Sequence, residues 1–162
     1  MRSPWKTFVL LIALLVAVAV ISLWLTFFIR DRSLILAGPA ASLTEPVIND
    51  ISADRGWQNT GILLDSGKTI QFQYLSGEIR DGETILRGPS GSGYICGDST
   101  CCEPMPEVQR AALIGRVKDH LFLIADKNTI EVQESGELQL RINDCDEGLF
   151  DNSGSLKVKI SP

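Results

Sequence analysis

Between Ile142 and Ile160 the sequence runs I-N-D-C-D-E-G-L-F-D-N-S-G-S-L-K-V-K-I, so Asn143, Asp144, Asp146, Glu147, Asp151 and Asn152 crowd into one short loop. Carboxylate, amide and backbone oxygens at that density suit a hard cation such as Ca²⁺, which takes six to eight oxygen ligands. Asp, Asn, Ser and Gly are also the ordinary turn formers. A solvated hairpin and a calcium loop therefore stand side by side on these residues alone. Other chemistry has little support. There is one histidine, His120, beside Leu121 and Phe122, and a lone His next to a strand is usually surface or satisfied core. The chain has no G-x-S-x-G, P-loop, H-E-x-x-H or Rossmann fingerprint. No pair of carboxylates is marked out for acid–base work. The expectation is a protein that is not an enzyme.

The elements that must position the loop are short strands. Leu138–Ile142 and Leu156–Ile160 flank it with alternating apolar and polar residues, the period of a half-buried strand. Residues 57–64 and 69–75 read as two more strands, with hairpin-turn chemistry at Asp65-Ser66-Gly67 between them. Ala111–Val117, Leu121–Ile124 and Thr129–Val132 follow, each bounded by turn signals, while Gly88–Pro106 is too poor in apolar residues for a regular element. No soluble segment keeps a helical period. The pattern predicts an all-β domain, an antiparallel β-sandwich or jelly roll, over residues 51–162.

Ahead of that domain, Thr7–Ile29 contains no charged residue and is long enough to span a hydrocarbon core as one transmembrane helix, with Trp5 and Trp24 near its ends. A cleavable signal peptide would have a shorter apolar region, so an uncleaved anchor over 1–32 is expected. Residues 33–50, with Gly38, Pro39 and Pro46, read as a linker. Arg2 and Lys6 on one side and Arg30 and Arg32 on the other leave orientation nearly balanced. Cys96, Cys101, Cys102 and Cys145 all lie in the soluble part, and an even number suits two disulfides in an oxidising compartment. That predicts a single-pass protein of the cytoplasmic membrane, N-terminus inside and C-terminal domain outside. Their spacing lacks the two C-x₂-C pairs usual in a Cys₄ zinc site. Three pairings are possible, and the one joining the neighbours Cys101 and Cys102 is strained. From Ser33 onward 11 Lys/Arg face 19 Asp/Glu, a net −8 that argues against nucleic acid and anionic lipid as partners.

The segments W-Q-N-T-G-I-L-L, G-P-S-G, I-C-G-D-S-T-C, A-L-I-G-R-V and I-N-D…D-N-S-G-S-L-K-V-K-I together resemble the LecA-like (PA-IL) calcium-dependent galactophilic lectins, over roughly residues 51–161. The resemblance implies a small galactose-binding-like jelly roll whose calcium ion itself coordinates two sugar hydroxyls. It carries the metal set onto the side chains of Asp144, Asp151 and Asn152 and the carbonyls of Gly148 and Arg87. Asp151 stands where these lectins usually have Asn, which adds negative charge for the cation. The family's C-x₄-C implies a Cys96–Cys101 bridge, leaving Cys102 with Cys145. The lectins also carry a His and a Gln on a longer loop that grips the sugar's edge. Here the interval is Ser90–Ile95 and holds neither. Tyr94 or Trp57 is the available aromatic platform, with core packing or rim contact the alternative role for each. The resulting expectation is a membrane-anchored, calcium-dependent, carbohydrate-binding domain. The rival is a single-span accessory subunit that uses the same sandwich to dock onto a larger membrane complex.

Overall fold

The computed structural model describes residues 39–82, 85–97 and 100–162. The expected membrane span, and with it the anchor at 1–32, lies outside the described residues. Among the described residues no helix is long and apolar enough to cross a membrane.

Among the described residues nine strands follow in chain order: β1 (Ala41–Ser42), β2 (Val47–Ser52), β3 (Gln58–Leu64), β4 (Thr69–Asp81), β5 (Leu113–Val117), β6 (His120–Leu123), β7 (Lys127–Glu131), β8 (Gly136–Ile142) and β9 (Asn152–Ser161). A 3₁₀ turn, Asp146–Asp151, joins the last two. The strands form two sheets, ordered β1-β3-β8-β5-β6 and β2-β9-β4-β7. Alternation explains the layering. In β4, Ile70, Phe72, Ile79 and Asp81 point inward, and in β9 Leu156, Val158 and Ile160 do. All but Asp81 meet Leu138, Leu140 and Ile142 of β8 and Leu113 and Val117 of β5 in one continuous apolar core. Phe72 and Phe122 close it across the two sheets, ring centroids 5.9 Å apart. The expected β-sandwich is present.

Three features differ from the sequence reading. Residues 65–67 do not close a hairpin, because β3 pairs with β1 and β8 while β4 pairs with β7 and β9. The turn is an arch from one sheet to the other. The loop after Ile142 is likewise an arch, from β8 to β9, and not a hairpin. Alternating strands look the same whether the next strand lies beside them or across the core, so local pattern cannot separate the cases. Second, 39–50 is not linker. It contributes β1 and most of β2, with Ile51 buried opposite Leu156 of β9. Pro46 stands just before an edge strand, where a missing N–H costs no ladder bond. Third, the sandwich is not wholly antiparallel, since β1 runs parallel to β3.

Antiparallel pairing of β3 with β8 puts the 65–68 arch and the 143–151 arch at opposite ends of the sandwich. The end of β4, the start of β9 and the start of β5 therefore gather at the second of these ends, since Asp81 pairs with Asn152 and Leu113 with Ile142.

Candidate functional site

Asp144 is fully buried two residues beyond Ile142, the last core position of β8. A carboxylate there needs compensation for its lost hydration. It receives the Cys145 N–H on Oδ1 at 2.9 Å and the Asn152 amide on Oδ2 at 2.9 Å. The Arg110 Nε stands 3.0 Å from Oδ1. That Arg110 N–H makes no aligned hydrogen bond, so the contact is a pairing of charges and not a directed bond. Asn152 also donates to the Ala53 carbonyl at 3.3 Å, while its own buried Oδ1 has no hydrogen-bond partner.

The neighbouring oxygens split into different roles. Asn143 is structural: its amide holds the Met105, Val108 and Gln109 carbonyls, and its Oδ1 accepts the Met105 N–H. Asp146 pairs with the buried Arg141, whose guanidinium also donates to the carbonyls of Ile142 and Asp144. Arg141 thus ties the whole loop to the top of β8. Asp151 lies at the end of the 3₁₀ turn with its carboxylate over Gly82. A Cβ on Gly82 would stand 2.8 Å from Asp151 Oδ2, and Gly82 has φ +77°, so no side chain fits there without moving Asp151.

Gly148 packs against Asp144 inside the same 3₁₀ turn, with its N–H on the Cys145 carbonyl. Arg87 forms a short bridge with Ile79, its carbonyl accepting the Ile79 N–H at 3.0 Å, and its Nε reaches Asp81 Oδ1 at 3.1 Å. Tyr94 is exposed. Trp57 is instead covered by two guanidiniums, Arg116 at 4.3 Å and Arg141 at 5.5 Å from its ring centre. It packs, and is no open platform. Asp81, Gly82, Arg87, Ser92, Tyr94, Arg110 and Asp151 line an open cleft of about 410 Å³.

Both disulfides are present, Cys96–Cys101 and Cys102–Cys145, and the second fixes the residue adjoining Asp144. Among the described residues, the clusters of His, Cys, Asp and Glu tight enough for a metal consist of these bonded cysteines with Glu103. Their sulfurs are already committed to disulfides. His120 is exposed at the start of β6, away from the cleft-lining residues.

Two residues of the site escape a reading of the loop alone. Asp81 was detectable in principle, as an acidic residue at an inward position two beyond Ile79. Arg110 carries no local signal. It is placed by its own N–H on the Tyr94 carbonyl and by its carbonyl accepting the Ser92 N–H.

No protein-family profile and no curated protein matches the sequence. Among solved structures the chain is similar to one described as "EclA N-terminal domain; PllA-like lectin", with 22% identity and a TM-score of 0.56, over 74% of this chain and 97% of that one. The likeness is one of fold, the two-sheet β-sandwich that the strands of this chain form.

Proposed function

We propose that this is a non-enzymatic carbohydrate-binding domain of the galactose-binding-like jelly-roll type, with calcium held at the β8–β9 arch. The side chains of Asp144, Asp151 and Asn152 and the carbonyls of Gly148 and Arg87 would hold the ion. One observation carries the reading: at the open end of a lectin-like sandwich, a fully buried carboxylate adjoins a buried amide oxygen that no group among the described residues satisfies. Buried polar atoms are seldom left unpaired, and an all-oxygen donor set fits a hard cation. When bound, calcium supplies coordination positions for sugar hydroxyls. The chain's own residues do the rest. Arg141 and the Cys102–Cys145 bridge hold the loop's backbone in place, and Gly82 leaves room for Asp151. The exposed Tyr94 ring offers a flat apolar face to a pyranose.

The apolar run 7–29 is proposed to anchor the domain on the oxidising side of the cytoplasmic membrane, where two disulfides persist. A second reading, the accessory subunit, is favoured by Ile85, Leu86, Ile95 and Phe150. All are exposed on loops at the site end, Phe150 to 85%. Large apolar side chains exposed at one end of a domain are what a docking partner would cover.

Full-length protein in mild detergent is melted with calcium and with chelator. A ligand that binds only the folded state stabilises it by about 2.7 kcal/mol at a hundredfold excess over Kd. The carbohydrate reading expects that shift, a glycan-array signal that vanishes with chelator, and loss of both in Asp144→Ala. A calcium shift with a blank array replaces it with the accessory subunit, to be sought by co-purification. No calcium shift removes the metal.

A further inference from the structure

Asp144 already has a cation. Arg110 stands 3.0 Å from its Oδ1, yet the two partners differ sharply in environment: Asp144 is 0% exposed and the Arg110 side chain 36%. Asp144 cannot reach water, whereas Arg110 can withdraw into the cleft it lines and be rehydrated at small cost. The contact is also misaligned, since the Arg110 Nε makes no directed hydrogen bond. The aligned donors on Asp144, the Cys145 N–H and the Asn152 amide, come from the loop itself. The backbone of Arg110 is fixed between Tyr94 and Ser92, so the guanidinium can swing while its Cα stays put.

We propose that Arg110 is an internal counter-ion that exchanges with the metal. With the metal absent it neutralises Asp144 and keeps the arch folded. On metal uptake it yields Asp144 and turns outward into the cleft, beside Ser92 and Tyr94. This rests on the calcium reading above and adds a consequence. The metal-free domain is not a loosened one, because one positive charge replaces another at the same carboxylate. The exchange also weakens metal binding, since each uptake must first break the pair, and it gives the metal-loaded cleft a guanidinium that the metal-free cleft holds against its wall.

The test uses full-length protein in detergent, with Arg110→Gln, Asp144→Asn and the double variant. Two measurements are made without any glycan: melting in chelator and calorimetric titration with calcium chloride. Arg110→Gln should melt lower in chelator by on the order of 10 °C, because it strands a buried carboxylate. The double variant should recover most of that loss. Calcium should bind Arg110→Gln at least tenfold more tightly than it binds the natural protein. Equal calcium affinity and equal melting in the two would overturn the exchange while leaving the calcium reading standing. No calcium binding by either would remove both. Should Arg110→Gln fail to fold, a folded double variant traces the failure to unpaired Asp144 and supports the pairing. An unfolded double variant assigns Arg110 a packing role and overturns it.

Discussion

Two arches carry the chain between the same pair of sheets, at opposite ends of the sandwich. Asp65–Lys68 joins β3 to β4, and residues 143–151 join β8 to β9. Both contain Asp and Gly, the first as Asp65-Ser66-Gly67-Lys68 and the second with Asn143, Asp144, Asp146, Glu147, Gly148 and Asp151. The first satisfies itself with simple partners: Gly67 donates to the Val132 carbonyl, Val132 to the Lys68 carbonyl, and Ser66 uses Gln133 and Ser135. Its polar side chains remain exposed. The second buries Asn143 and Asp144 beside Asn152, the first residue of β9, recruits a buried arginine and a disulfide to hold them, and still leaves the Asn152 amide oxygen without a partner among the described residues. A loop that only needs to turn does so with exposed residues and backbone bonds. Buried polarity that stays incompletely satisfied is what separates a site from a turn.

The comparison breaks first at Arg141. Arg141→Ala should remove the guanidinium bonds to the Ile142 and Asp144 carbonyls and to Asp146 and leave a void, costing about 3–5 kcal/mol in denaturant unfolding. A loss below about 1 kcal/mol would place the second arch on a par with the first. Next come the disulfides. Chain-entropy reasoning gives about 4 kcal/mol for Cys102–Cys145, which spans 43 residues, against about 2 kcal/mol for Cys96–Cys101, which spans 5. Paired Cys→Ala variants, unfolded in urea, should keep that order.

Asp151→Ala should erase the calcium-induced stabilisation of about 2.7 kcal/mol at a hundredfold excess while leaving the chelated protein folded. An unchanged shift removes Asp151 from the ligand set.

The same contrast holds between Gly67, in the first arch, and Gly82, which follows β4 and faces Asp151 of the second. Gly67 and Gly82 share a left-handed φ, +78° and +77°, but a Cβ meets nothing at Gly67 and meets Asp151 at Gly82. Gly67→Ala should therefore cost only the backbone strain, about 1 kcal/mol. Gly82→Ala should add a visible drop in calcium affinity. Matching calcium titrations for the two would dissolve the distinction. The smallest effect belongs to Ser66→Ala, an exposed side-chain bond expected to contribute about 0.5 kcal/mol. Differential scanning calorimetry resolves a change of that size.

The strands were legible because burial on one face writes a period of two into the sequence. Leu138, Leu140 and Ile142, like Leu156, Val158 and Ile160, could only be inward rows. The density of oxygen-bearing side chains between them was equally plain, as was an even set of cysteines. What the sequence alone could not determine was partnership. Nothing local says that Gln58–Leu64 pairs with Gly136–Ile142 and not with the strand that follows it, so both arches read as hairpins. Pro46 masked an edge strand for a related reason: only its place at the sheet margin makes the missing N–H harmless. Arg110 shows the limit most clearly. It lies 34 positions before Asp144, and its charge acquires meaning only when Tyr94, Ser92 and the top of β8 converge. Periodicity follows from a residue's own neighbours along the chain and is written there. Charge pairing inside a buried site depends on which distant segments the core brings together, and tertiary packing alone decides that.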